Sequence, residues 1–233
     1  MMDKSDFIQN IKAEKISAGI ISSDWLGFEV TLSLLKQFNI NLLHFDIADG
    51  SFSPLFTVGP MAVSKFPGGF FKDVHLLTAN QCDIELITQC IKSGANVVTL
   101  QLEASDNLLK SLQWLSQQYL PEQQVLSGLS LCPETSLETL QDYLQYVDVI
   151  QLLTLDPRTG DKASIDYTVE RIKQLHKLLG DERERKIISI DGSMTLDMAK
   201  VFCQYDIDWI VSGSALFGGA NLSQTLTHWS EIP

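Results

Sequence analysis

The chain has 233 residues, 45% of them hydrophobic and 20% charged, a balance that supports a large core and excludes a disordered chain. An excess of 29 acidic over 17 basic residues gives a formal net charge of -12, which repels nucleic acid and anionic lipid surfaces and argues against either as a partner. No segment is long and apolar enough to span a bilayer, so no membrane association is expected. The polar start from Met1 to Lys15 lacks the apolar run of a signal peptide, so a cytoplasmic location is expected.

Residues 1–14 read as an N-terminal extension in which Phe7, Ile8 and Ile11 share one side of a short helix over 3–13, placed as a lid on one end of the fold. A strand-like run over 16–21 follows, and Ser22-Ser23-Asp24 supply capping signals for a helix over 27–38. From there one beat repeats. Apolar runs near 41–47, 72–77, 96–102, 125–131, 147–153, 186–191 and 207–212 are separated by helical patterns over 60–66, 80–93, 105–118, 135–146, 164–179, 196–205 and 222–230. Strands alternating with helices imply parallel pairing and right-handed crossovers, and eight such units close into a (β/α)8 TIM barrel. No linker-like stretch divides the chain, so residues 1–233 read as a single domain. The open doubly wound sheet is the alternative, but Gly19 alone after the first strand is not a dinucleotide-binding fingerprint.

The second strand carries His44-Phe45-Asp46-Ile47 and then breaks at Gly50. Side chains alternate along a strand, so His44 and Asp46 leave on one face, where they need a polar partner to offset their burial. In a barrel of this type the site forms at the C-terminal ends of the strands. Those ends carry His44 and Asp46, then Asp73 and His75 on the third strand, and Asp191 on the seventh. Imidazole and carboxylate together suit a divalent cation, with zinc, iron or manganese open by ligand type. Asp73 is in phase with His75 and reads as a partner lower on the same face, behind the ligands. Three loops read as anion cradles: Thr154 to Gly160 after the sixth strand, Gly192-Ser193-Met194 after the seventh, and Ser212-Gly213-Ser214 after the eighth. The four cysteines, Cys82, Cys90, Cys132 and Cys203, have no C-x-x-C spacing, which predicts free thiols in a reducing compartment.

On these motifs the sequence resembles the ribulose-phosphate 3-epimerase family from about Ser17 to Phe217. His44-Phe45-Asp46-Ile47-Ala48-Asp49-Gly50-Ser51-Phe52-Ser53-Pro54, followed by Thr57-Val58-Gly59, is similar to that family's H-x-D-x-M-D-G-x-F-V-P-N with a following T-x-G. Asp73-Val74-His75-Leu76, Leu102-Glu103-Ala104-Ser105, Asp191-Gly192 and Ser212 to Phe217 match further motifs in order. The resemblance implies a single divalent metal held by His44, Asp46, His75 and Asp191, with Asp46 and Asp191 doubling as the acid/base pair. It implies a ketose phosphate substrate, foremost ribulose 5-phosphate converted to xylulose 5-phosphate through a metal-stabilised enediolate. It also implies a homo-oligomer. Gly192, Ser193, Gly213 and Ser214, with Gly160 and Arg158, are the expected substrate and phosphate contacts.

Departures from the family pattern concern the substrate contacts. The family's first-strand serine falls at Gly19, its site methionines fall at Ala48, Leu77 and Leu153, and its loop asparagine at Leu55. Its glycine-rich sixth loop aligns with Arg158-Thr159-Gly160-Asp161-Lys162, where Asp161 opposes an ionic phosphate contact by its neighbours, and a histidine common after the fourth strand is Gln101. A divergent member is expected. Alternatives are an epimerase of a six-carbon ketose phosphate, or a non-catalytic barrel that binds a metal or ligand; a lyase or other isomerase on a similar barrel rests on fold analogy alone.

Overall fold

A computed structural model describes residues 3–105, 107–120, 122 and 124–232. Eight parallel strands run in sequence order around a closed barrel: β1 (Ile16–Gly19), β2 (Leu42–Ala48), β3 (Phe71–Leu77), β4 (Val97–Gln101), β5 (Leu126–Leu131), β6 (Val149–Leu153), β7 (Ile187–Asp191) and β8 (Trp209–Ser212), with β8 pairing back onto β1. The helices are α1 (Lys4–Lys12), α2 (Phe28–Gln37), α3 (Pro60–Val63), α4 (Ile84–Lys92), α5 (Leu108–Leu115), α6 (Ile165–Leu179), α7 (Leu196–Phe202), α8 (Ser214–Phe217) and α9 (Leu222–Trp229). Carboxylate or hydroxyl side chains close several first turns, among them Asp83 on α4, Ser164 on α6 and Thr195 on α7.

Two expectations are corrected. The helix predicted over 135–146 is a pair of 3-10 turns, Leu137–Asp142 and Leu144–Tyr146. Its buried residues, Leu137 and Leu140, are three apart, the repeat a 3-10 turn eclipses onto one side, and the amides of Tyr143 and Tyr146 donate to carbonyls three residues back. The helix predicted over 60–66 shortens to α3, after which Lys72 on β3 donates from Nζ to the carbonyls of Val63 and Phe66, both at 2.9 Å, and ends it.

Outward-facing strand residues such as Leu43, Phe45, Val74, Leu100, Ile150 and Ile190 join the helices in one large core. The barrel interior divides along its axis. At the N-terminal end Leu42, Val97, Leu126, Val149, Ile187 and Trp209 form an apolar layer, and α1 covers it with Phe7, Ile8 and Ile11. Trp209 Nε1 donates to the Ile11 carbonyl at 3.0 Å, fixing the extension to the barrel floor. Burial of a side chain the size of Phe7 or Ile11 contributes about 1.5–3 kcal/mol, so this end is sealed. Toward the other end the inward positions turn polar: Ser17, Asp73, Thr99, Gln101, Ser130, Gln151 and Ser189 are all buried. The chemistry is thereby confined to the C-terminal rim. No helix among the described residues is long and apolar enough to cross a membrane.

Candidate metal centre and active site

Alternation along β2 and β3 sends His44, Asp46 and His75 into the barrel, while their neighbours Phe45 and Val74 enter the outer core. Asp191 ends β7. One ligand atom from each of His44, Asp46, His75 and Asp191 lies within 4.8 Å of all the others. His44 Nε2 stands 3.2 Å from Asp46 Oδ1 and 3.8 Å from Asp191 Oδ2; His75 Nδ1 stands 3.3 Å and 4.0 Å from the same two oxygens. Two neutral imidazoles and two carboxylates carry a formal charge of about -2 that a divalent cation offsets, and the set matches what zinc, iron or manganese accepts.

Each of the four candidate ligands is held from behind. Asp73 Oδ2 accepts from His44 Nδ1 at 2.8 Å and from the Ser17 hydroxyl at 3.0 Å. That keeps a proton on Nδ1 and points Nε2 into the cluster. Gln151 Nε2 donates to Asp191 Oδ2 at 3.0 Å and lies 3.2 Å from His75 Nδ1. The peptide at the end of β2 is tied by Thr57, whose hydroxyl donates to the Asp46 carbonyl at 2.6 Å and accepts from the Ala48 amide at 2.9 Å. The threonine of the T-x-G motif thus fixes the strand end that carries Asp46.

The two carboxylates differ. Burial alone would raise Asp46, but the facing imidazoles, His44 before His75, outweigh it and hold the group well below the usual carboxylate range. Burial lifts Asp191 from 3.8 to about 6; attraction to His44 opposes the rise and repulsion from Asp46 adds to it. His44 is held well above its ordinary value, because Asp46 and Asp73 outweigh the desolvation that works against its charge. Of the two acids, Asp191 therefore holds a proton more readily than Asp46.

Beside the cluster is a cavity of about 230 Å³. Gly192, Ser193, Gly213 and Ser214 line one side of it, together with Gly19 and Ser22; Leu55, Leu77, Leu153, Leu155 and Met194 form apolar walls, and Ala48 is not among the lining residues. Gly192 has φ +112, a conformation that favours glycine. Gly160 and Arg158 stand away from the lining. Arg158 donates from Nε and Nη2 to the Asp156 carboxylate at 2.9 and 2.6 Å, and its guanidinium lies 5.7 Å from the Phe52 ring centroid. A loop from β6 thus reaches the loop after β2, and Arg158 holds Asp156 below the ordinary carboxylate range.

Sequence reasoning did not single out Gln151 or Ser22. Gln151 had a readable signal, as the lone polar residue in Val149-Ile150-Gln151-Leu152-Leu153, in phase with Leu153 on the inward face. Ser22 had none, because it meets Gly213 only across the β1–β8 seam.

A closed parallel barrel with two imidazoles and two carboxylates converging at its C-terminal rim defines a barrel enzyme that works on a small ligand at its strand ends. The sequence matches the ribulose-phosphate 3-epimerase family over residues 15–217, and the chain belongs to that family; it is a sugar-phosphate epimerase. It is 44% identical over 218 residues to a putative epimerase LsrE of Salmonella typhimurium, covering 92% of this chain and 85% of that one. It is 25% identical to the ribulose-phosphate 3-epimerase of Bacillus subtilis over 217 residues, covering 91% and 96%. Among solved structures, KGPDC from Streptococcus mutans superposes with a TM-score of 0.61 at 13% identity, covering 94% of this chain and 97% of that one, a likeness of fold alone.

Proposed function

We propose that this protein inverts C3 of a ketose phosphate, foremost ribulose 5-phosphate to xylulose 5-phosphate, with Asp46 and Asp191 as the two proton carriers and the whole chain acting as one barrel domain. The observation that carries the reading is the convergence of two carboxylates, Asp46 and Asp191, with two imidazoles at one centre, the acids arriving from β2 and β7, which are separated by β1 and β8 on the short way round. Epimerisation removes a weakly acidic proton from one face of a carbon and returns one to the other face, so an ionised and a protonated group must flank the substrate. Asp46 as carboxylate takes the C3 proton, the electron pair moves toward the C2 carbonyl oxygen to give an enediolate, and Asp191 as carboxylic acid delivers a proton to the opposite face. No electrons are gained or lost overall. His44, Asp46, His75 and Asp191 would hold the cation, which when bound supplies Lewis-acid stabilisation of the developing oxyanion.

Gly192, Ser193, Gly213 and Ser214 are proposed to take the phosphate, since they line the cavity and their loops follow β7 and β8. Arg158 would first have to leave Asp156 to contribute. The test follows loss of the C3 hydrogen on a panel of five- and six-carbon ketose phosphates in deuterated water, with bound metal measured alongside. Exchange on one member names the substrate. Exchange that survives both Asp46→Asn and Asp191→Asn rules out the two-carboxylate mechanism, and metal uptake with no exchange on any sugar supports a binding barrel instead.

A homo-oligomer is supported by exposed apolar residues concentrated in the first two loop–helix connections, Trp25, Leu26, Val30, Phe56 and Met61. Light scattering after size exclusion tests it, with Leu26→Asp expected to shift the protein toward monomer. Four free cysteines fit a cytoplasmic location, which fractionation of cells tests directly.

A further inference from the structure

We propose that Gln101, oriented by Glu103, is a positioning residue that locks His75 in the tautomer presenting Nδ1 to the metal centre; this rests on the metal-centre reading above. The chain of donors and acceptors leaves a single solution. A carboxylate only accepts hydrogen bonds. Glu103 Oε1 takes the Cys132 amide at 2.9 Å and the Thr135 hydroxyl, and Glu103 Oε2 takes the Gln101 side chain. The atom of Gln101 facing Glu103 must therefore be the amide nitrogen, which also lies 3.4 Å from Cys132 Sγ. Its carbonyl oxygen then faces His75 Nε2 at 2.9 Å and can only accept. His75 must carry its proton on Nε2, and Nδ1 is left bare toward Asp46, Gln151 and Asp191. The acceptor-only chemistry of Glu103 sets the amide orientation, and the tautomer follows from it.

The strand end that carries Gln101 is held as well. Its main chain is gripped by the fully buried Gln81, which accepts from the Gln101 amide and donates to its carbonyl, both at 2.5 Å. The two histidines are thus locked in opposite senses. Asp73 fixes His44 with its proton on Nδ1, and the Gln101–Glu103 pair fixes His75 with its proton on Nε2. Behind His44 stands a carboxylate, behind His75 a neutral amide, so the two ligands have unequal basicity.

The test uses long-range nitrogen–proton NMR of the metal-free full chain, in which the two neutral tautomers give distinct patterns, and titration with Co(II) followed by its visible absorption. Wild-type His75 is expected as the Nε2–H form. Gln101→Met, similar in length but without donor or acceptor, is expected to give a mixture of tautomers and to weaken Co(II) binding by about 10–100-fold. Gln101→His, which can accept on one ring nitrogen and donate to Glu103 from the other, is expected to restore both. A merely structural role would lower the melting temperature of Gln101→Met while leaving tautomer and Co(II) affinity at their wild-type values, and that result overturns the proposal. So does a wild-type His75 found as Nδ1–H, a measurement that needs no variant to fold. Failure of the wild-type chain to bind Co(II) counts instead against the metal-centre reading and leaves the tautomer result to stand by itself.

Discussion

Replacing Gly19 with serine, the residue that the family resemblance implies at this position, is expected to destabilise the protein rather than restore a lost contact. Gly19 has φ -66 and ψ 73, so a side chain there meets no backbone penalty, and Gly→Ala in such a setting ordinarily stabilises by about 0.4–1 kcal/mol. The obstacle is space. A Cβ at 19 would stand 2.9 Å from the Gly213 Cα, 3.2 Å from its nitrogen and 3.3 Å from the Ser212 carbonyl oxygen. All three are main-chain atoms and cannot rotate away, so the seam between β1 and β8 has to open. Overpacking of this kind costs about 1–3 kcal/mol, which after the entropic gain leaves a net loss of up to about 2.5 kcal/mol, or up to roughly 10 °C in Tm for a domain of this size. Urea and thermal unfolding of Gly19→Ala and Gly19→Ser measure it. Both variants should lose stability by similar amounts, because the Cβ rather than the hydroxyl makes the clash. An alanine variant as stable as the parent would refute the steric reasoning, and a serine variant with higher C3 exchange would show that the seam yields.

Asp73→Ala removes the acceptor on His44 Nδ1 and leaves that group and the Ser17 hydroxyl buried without it, so a loss of about 3–5 kcal/mol in urea unfolding is expected; a loss below about 1 kcal/mol, the net worth of one ordinary hydrogen bond, would mean the pair does not anchor β2 to β3. Chelated, metal-free protein should lose stability as pH rises. His44, raised in the fold, contributes fully below 6.5 and less as pH passes its folded value, while Asp191, raised from 3.8 to about 6, holds its proton only in the fold and costs about 3 kcal/mol once ionised. Tm of the chelated protein should therefore fall between about pH 4 and 8, and metal should flatten that fall; a chelated Tm that climbs across this range contradicts the assigned signs. Arg158→Ala should change KM for the phosphorylated substrate by no more than about twofold, as expected of an exposed pair with Asp156, whereas a tenfold rise would return Arg158 to the phosphate.

Much of this molecule is written in local patterns. The eight apolar runs announced the strands because a barrel strand buried on both faces needs a nearly continuous apolar sequence, and the interruptions of that pattern marked chemistry: His44 and Asp46 in one phase of β2, Asp73 and His75 in one phase of β3. A period of two is a property of the chain itself, so it is legible before any fold is known. The spacing of Leu137 and Leu140 suits an α-helix and a 3-10 turn alike, and the fold takes the 3-10 form where this segment packs beside α6.

What closure of the barrel alone decided are the relations between strands far apart in sequence. Asp191 reaches the His44–Asp46 pair only because the closed barrel brings β7 across from β2, and Gln151, beside Asp191 on the neighbouring strand, meets His75 of β3 for the same reason. The glycine at 19 looked like a missing hydroxyl until β8 placed the Gly213 backbone against it. Arg158 reads in the sequence as a phosphate contact, and only the folded loop shows that it is paired with Asp156. Composition and alternation determined which side chains leave the wall inward; which of those meet depends on distances across the barrel, and no local pattern encodes a distance between residues that only a closed sheet brings together.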